Sequence, residues 1–279
     1  MKLHTINTGF FKLDGGAMFG VVPKQIWQRL NTPDDKNLCT WAMRCLLIET
    51  NDNRRILVDT GIGNKQSSKF FSYYDLHGND SLLGSLAQHG LQPTDITDVI
   101  LTHLHFDHVG GAVSRTEEGQ LVPTFPNALY WSNHAHWQLA TNPNVRERAS
   151  FLPENFMPLL DAGVVRFVDD GQEIYKGISV RFVYGHTHAM MLPHITHNGN
   201  TLVYLADLVP SAGHIKLAYV MGYDMQPLVT LAEKADFLGK AADQHHTLFF
   251  EHDPTNECAQ IQRTEKGDFE VIRTFALNA

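Results

Sequence analysis

VILTHLHFDHVGG, running from Val99 to Gly111, starts as a buried strand and ends as something else. Val99, Ile100 and Leu101 make a short apolar run entered from the polar turn Pro93-Thr94-Asp95. The run then delivers His103, His105, Asp107 and His108 and stops at Gly110-Gly111. Side chains alternate faces along an extended chain, so His103 and His105 point the same way. Asp107 and His108 can join them only if the backbone leaves the strand and bends. Paired glycines are expected just past such a bend, where the backbone must pass close to something. Three imidazoles and a carboxylate within six residues suit a borderline first-row metal such as zinc. Two ligands turned away from the other two suggest more than one metal. A histidine-rich surface loop is the bland alternative, but a strand running polar residues into a glycine turn needs a reason.

The rest of the composition narrows what such a site can serve. The chain has 279 residues, 43% of them hydrophobic, enough for a substantial core, and a single domain over residues 1–279 is expected. A formal net charge of −8 argues against a nucleic-acid partner, because phosphate binding needs a basic surface. Cys39, Cys45 and Cys258 are widely spaced, odd in number and form no CxxC pair. They read as small packed hydrophobes in a reduced compartment. No secretory signal or bilayer-spanning run is evident, so a cytoplasmic protein without a membrane partner is expected.

Outward from the histidine run, other strands end on metal-competent residues. Gly177–Tyr184 runs into His186 and His188, Thr201–Ala206 into Asp207, and Thr247–Glu251 into His252. Strand ends converging on one crevice are where open sheets place their sites. Residues 2–10 predict an edge strand, and 44–50 with 55–59 a hairpin running into Asp59-Thr60-Gly61. Asp59 is either a turn-capping carboxylate or a partner for a metal-bound histidine. Residues 81–89 predict a short helix, and 227–245 a long one with apolar residues at 228, 231, 235, 238 and 242. Asn133 can cap a helix that carries His134 and His136, both read as surface or rim residues. Residues 141–158, with prolines at 143, 153 and 158, form a partly helical excursion, a candidate lid. The glycine-flanked Ala17-Met18-Phe19 either tucks under a sheet edge or forms an apolar substrate wall. The aromatic stretch Phe70–Tyr74 is a candidate face for a homodimer.

His103 to His108 resembles the HxHxDH signature of the metallo-β-lactamase fold superfamily and matches it at every position. The resemblance implies an α/β (α+β) fold, a four-layer αββα sandwich, with two divalent metal ions per chain, zinc foremost and iron, manganese or cobalt as alternatives. By the same resemblance His103, His105 and His186 hold the first metal and Asp107, His108 and His252 the second. Asp207 bridges them, and Asp59 in its DTG turn backs a ligand histidine. Within GHTH, His186 matches the family's ligand position, which leaves His188 as a substrate contact or a solvated residue.

With His108 and Asp207 both present, antibiotic hydrolysis is not expected. The DGGAMFGVVPK segment, HLHFDH, the LAD turn, Tyr223-Asp224 and the FFEHD ending resemble quorum-quenching N-acyl-homoserine lactone lactonases. That resemblance implies attack by a bridging hydroxide on a lactone carbonyl, with Asp107 or a water protonating the leaving alkoxide. Met18, Phe19 and Phe106 are candidates for the wall that receives an acyl chain. These lactonases often carry a tyrosine three residues after the bridging aspartate, where this chain has Pro210. Tyr223 and His214 are the candidates to replace it. A phosphotriesterase or aryl esterase of the same fold, similar to the methyl parathion hydrolases, is the alternative activity. A scaffold on a degenerate fold is the non-enzymatic one.

Overall fold

The structure, a computed structural model, describes residues 1–277. The first eight strands are β1 (Lys2–Asp14), β2 (Leu38–Glu49), β3 (Arg55–Val58), β4 (Asp98–Ile100), β5 (Val113–Arg115), β6 (Leu121–Pro123), β7 (Leu129–Ser132) and β8 (Val165–Phe167). β5 and β6 pair only with each other, and the other six form one sheet in the order β1-β2-β3-β4-β7-β8. The second sheet runs β15-β14-β13-β12-β11-β10-β9, from β9 (Glu173–Tyr175), β10 (Ile178–Val183), β11 (Met190–His197), β12 (Asn200–Tyr204), β13 (Thr247–Phe249), β14 (Cys258–Arg263) and β15 (Phe269–Phe275). The helices are α1 (Gly15–Phe19), α2 (Lys24–Trp27), α3 (Ser68–Phe71), α4 (Leu82–Gln88), α5 (Phe106–Val109), α6 (His134–Thr141), α7 (Met157–Asp161) and α8 (Pro227–Asp243).

Alternation along the strands builds the layers. Leu46 and Ile48 of β2, Ile56 and Val58 of β3 and Ile100 of β4 share one core with Val180, Leu192 and Val203 of the second sheet. The intervening Cys45, Leu47, Leu57 and Val99 point the other way, into a core closed by Leu86 of α4, Trp137 of α6 and Leu159 of α7. Phe237, Leu238 and Ala241 of α8 close the outer face of the second sheet. The result is helix, sheet, sheet, helix, the four-layer αββα sandwich implied by the resemblance. Because the period is two, a one-residue slip in β2 would exchange the two cores, so the register is firmly specified.

Local chemistry accounts for the differences from the sequence reading. β1 runs to Asp14 and β2 starts at Leu38 because Phe10–Asp14 pairs with Leu38–Ala42, lengthening both strands. The glycine-flanked segment folds as α1, capped by the Asp14 carboxylate accepting from the Ala17 N–H (2.8 Å). A side chain at Gly15 would collide with the Trp27 indole, so the glycine marks close packing and not a loop. Asn133 caps α6 as expected, accepting from the His136 N–H (2.8 Å). Phe70 and Tyr74 turn inward against Phe106 (5.3 and 4.7 Å between ring centres), while Tyr73 of the same stretch is exposed. All three cysteines are free and buried, and burial pushes the Cys39 thiol up to about 11 and Cys258 to about 12, as inert packed residues should be. No helix among the described residues is long and apolar enough to cross a membrane.

Candidate metal centre

β3, β4, β10, β12 and β13 point their carboxyl ends at one place. Past β4 the backbone breaks into α5, which carries Asp107 and His108 to a donor group separate from that of His103 and His105. The break is held by the Asp59 turn: the Thr60 N–H and hydroxyl both donate to the His108 carbonyl (2.8 Å each). Gly110 and Gly111 pass so close to Ile62 and Thr60 that a Cβ on either would strike backbone.

Ligand atoms of His103, His105, His186 and Asp207 lie within 4.8 Å of one another, and so do those of Asp107, His108 and His252. In the first group His105 Nδ1 is 3.1 Å from His103 Nε2 and 3.3 Å from His186 Nε2. Asp207 Oδ2 is 3.0 Å from His186 Nε2. In the second, His108 Nε2 and His252 Nε2 are 3.3 Å apart, and Asp107 Oδ2 is 3.8 Å from each. Asp207 Oδ1 faces His252 Nε2 at 3.1 Å, so the carboxylate addresses both groups.

The donor set fits two divalent cations. A tetrahedral ion with bonds of about 2.0–2.1 Å holds its ligand atoms about 3.3–3.4 Å apart, close to the nitrogen–nitrogen spacings seen here. The remote ring nitrogens settle the tautomers. His103 Nδ1 meets the Thr102 hydroxyl (3.1 Å) and His186 Nδ1 the Asp224 carboxylate (2.9 Å). His252 Nδ1 meets the Ala42 carbonyl (2.8 Å), and His108 Nδ1 lies between Asp59 Oδ2 (3.1 Å) and Glu251 Oε2 (3.0 Å). A proton on each remote nitrogen leaves a lone pair facing the centre. Asp59, Asp107, Asp207, Asp224 and Glu251 are all buried, and their ion pairs at the centre are with histidines alone. Such an excess of buried negative charge calls for cations. Burial opposes charging His186 and His252, yet Asp207 beside both outweighs it and pushes them up to about 10 and about 9. A bound cation would displace those protons.

Above the centre lies a cavity of about 390 Å³. Leu13, Met18, Phe106, Met221 and Met225 supply its apolar walls, with Tyr74, Tyr223 and Arg146 among its polar lining and Asp107, Asp207 and His252 among its metal-competent residues. All seven predicted ligands are therefore brought together, and the Asp59 carboxylate stands 3.1 Å from His108 Nδ1. Met18, Phe106 and Tyr223 line the cavity; three other candidates do not. Phe19 is fully buried, stacked between Trp27 (5.5 Å) and His214 (4.3 Å), so it supports the wall from behind. His214 has both nitrogens engaged, with Ser211 Oγ (2.8 Å) and the Met18 carbonyl (2.9 Å), and burial pushes it down to about 3. It fixes the Met18 turn and does not replace the missing tyrosine. His188 is exposed, its ring against Tyr184 (5.2 Å), outside the cavity lining.

His136 corrects the surface reading in the other direction. It is fully buried, its Nε2 accepting from the Leu104 N–H (2.8 Å) and its Nδ1–H donating to the His188 carbonyl (2.7 Å). It thereby ties the two ligand loops together. Glu147, Asp224 and Glu251 also carry roles the sequence reading did not assign. Of these only Glu251 sat beside a recognised ligand, and burial pushes its carboxyl up to about 7.

A buried centre of this kind, at the strand ends of an αββα sandwich, defines a metal-dependent hydrolase. The metallo-beta-lactamase superfamily model matches residues 44–252, and the chain belongs to that superfamily. Among curated relatives, an N-acyl homoserine lactonase of Bacillus cereus is 26% identical over 198 residues, covering 63% of this chain and 72% of the relative. One from Bacillus thuringiensis is 24% identical over the same length. Among solved structures, a probable metal-dependent hydrolase from Staphylococcus aureus superposes with a TM-score of 0.88 at 26% identity, covering 99% of this chain and 98% of the other. AidC, a dizinc quorum-quenching lactonase, superposes at 0.80 with 22% identity, covering 99% and 95%.

Proposed function

We propose that this chain is a two-metal hydrolase that opens lactones of the N-acyl-homoserine type. The observation that carries the reading is Asp207, whose carboxylate faces two adjoining donor groups beneath an apolar-walled cavity. His103, His105 and His186 would hold one cation, Asp107, His108 and His252 the other, and Asp207 both. Zinc suits these donors best, with iron, manganese and cobalt acceptable to the same set. Bound there, two cations would supply Lewis acidity and lower the pKa of a water toward neutrality.

The chain's own residues do the rest. Asp107 stands at the cavity floor, placed to accept a proton and return it to the leaving alkoxide. Met18, Phe106, Met221 and Met225 exclude water and accept an acyl chain. Pro210 cannot donate a hydrogen bond to a substrate carbonyl, and its own carbonyl is taken by the His252 N–H (3.1 Å). Tyr223, half-exposed on the cavity wall, supplies a phenol instead, and a phenol keeps its proton and remains a donor at neutral pH. Support for a lactone also comes from the names of the curated relatives. An aryl phosphotriester or aryl ester is the second reading, favoured by the Phe106 and Tyr74 rings on the cavity wall, with Phe70 packed against both.

Ring opening of a lactone releases acid, so turnover of N-hexanoyl and N-decanoyl homoserine lactones in dilute indicator buffer tests the proposal directly. Acidification that requires the metal-loaded protein is the expected result. Hydrolysis of an aryl phosphotriester or aryl ester without any lactone turnover would overturn the lactone reading in favour of the second.

A further inference from the structure

Of the five ligand imidazoles, four have their remote nitrogen satisfied by Thr102, by Asp59 with Glu251, by Asp224 or by the Ala42 carbonyl. His105 is the exception. It turns Nδ1 toward the centre, so its proton sits on Nε2, which is buried and has no hydrogen-bond partner. Glu147 Oε1 lies 3.7 Å from that nitrogen.

We propose that Glu147 is a positioning residue for His105, so that the segment walling the cavity also orients a metal ligand. The inference rests on the two-metal reading above. Glu147 is only 4% exposed, and polar side chains in contact with it are arranged as donors. The Thr187 hydroxyl donates to Oε1, and Asn144 Nδ2 donates to Oε2 (2.7 Å). Its ion pair, among the described residues, is with His105. A cation on Nδ1 makes the Nε2 proton more acidic and the attraction to a carboxylate stronger, the arrangement by which metal-bound histidines are held. Asn144 also accepts from the Arg146 and Glu147 N–H groups (3.0 and 3.1 Å), making a tight turn that fixes where the carboxylate points. Ala149 and Ser150, a few residues on, line the cavity, and the Phe151 ring packs on His105 (4.8 Å). A ligand that moves this wall therefore moves the group that aims His105.

The test is metal binding by the full chain, stripped with a chelator and titrated with zinc against a chromophoric competitor, then with cobalt(II) for its visible spectrum. Glu147→Ala should weaken one of the two ions about 10–100-fold and change the cobalt bands. Glu147→Gln, which keeps an acceptor oxygen but not the charge, should fall between it and the wild type. Asp224→Ala, which removes the partner of His186, serves as the positive control. Should Glu147→Ala lose its circular-dichroism spectrum, the Gln variant decides. Wild-type uptake of two ions with both variants unchanged in affinity and spectrum would overturn the role of Glu147 alone. A wild-type chain that holds fewer than two ions would overturn the two-metal reading, and this inference with it.

Discussion

Gly110→Ala tests whether the bend after the histidine run is made by backbone against backbone. Gly110 has φ −58° and ψ −37°, ordinary helical values that alanine adopts without strain. Space is the obstacle: an added Cβ would lie 2.0 Å from the Ile62 carbonyl oxygen and 2.8 Å from its Cα, where real Cβ atoms essentially never come within 3.0 Å. The two segments would have to separate by about 1 Å. Overpacking of this kind costs about 1–3 kcal/mol. It also strains two backbone hydrogen bonds, Thr60 N–H to His108 O (2.8 Å) and Gly111 N–H to Gly61 O (3.0 Å), each worth about 1 kcal/mol. A loss of about 3–5 kcal/mol is a large part of a typical stability. Urea unfolding of metal-stripped protein measures it without help from bound ions. Gly119→Ala is the control, since Gly119 has φ +85° but nothing within 4 Å, and should lose only about 1–2 kcal/mol. A Gly110→Ala protein as stable as the wild type, with His108 still binding metal, would refute the close-approach argument.

Three further outcomes follow from the site. Asp207→Ala should lower the metal content and abolish turnover while His188→Ala leaves both unchanged; elemental analysis with a rate assay checks this, and metal lost from the His188 variant would reverse the assignment within GHTH. Burial holds His136 down to about 3, against 6.5 in an unfolded chain, so between these values only the unfolded chain takes the proton and stability falls as pH drops below 6.5. The loss reaches about 2 kcal/mol by pH 5, and His136→Gln should flatten the acid limb of the urea midpoint against pH in metal-stripped protein. Tyr223→Phe should reduce kcat/KM for lactones while leaving two ions bound, since its phenol lines the cavity without joining the donor groups.

The parts of this molecule that were legible in its sequence are those governed by short spacing. His103 and His105 alternate with apolar residues on one strand end, and the ligands at 186, 207 and 252 each follow a run of strand-forming residues. The long helix α8 was legible as a helix but not by its face. Of the apolar positions 228, 231, 235, 238 and 242 only Leu238 and Ala242 are buried, Leu228 and Ala235 are exposed, and Thr230, Lys234, Phe237 and Ala241 complete the packed side. What could not be read depends on contacts between distant segments. His136 shares its side of a short helix with the buried Trp137 and Ala140, which marks it as inward but not as the tie between two ligand loops. Glu147 lies in an irregular stretch, and its value comes from an imidazole and a threonine 42 and 40 positions away in sequence. Phe19 and His214 were placed in the cavity because apolar and imidazole groups belong in such sites, yet they stack on each other behind its wall.

The same division separates the chemistry from its specificity. The ligands are fixed to the sheets, through the Ala42 carbonyl on β2 and the Asp59 turn after β3, so the donor geometry is as rigid as the sandwich. The walls are fixed chiefly to one another. The Gly222 N–H donates to the Ala17 carbonyl (2.8 Å), Arg146 donates to the Gly222 carbonyl (2.5 Å), and His214 donates to the Met18 carbonyl (2.9 Å). Three loops thus clasp each other above the floor and reach it where Asp224 holds His186 and where Glu147 approaches His105. Changes among those loops can alter which ester fits while the donor groups stay intact, which is how one fold comes to serve many substrates. It follows that the proposed choice between lactone and aryl ester rests not on the donor groups but on Met18, Phe106, Tyr223 and the segment around Glu147.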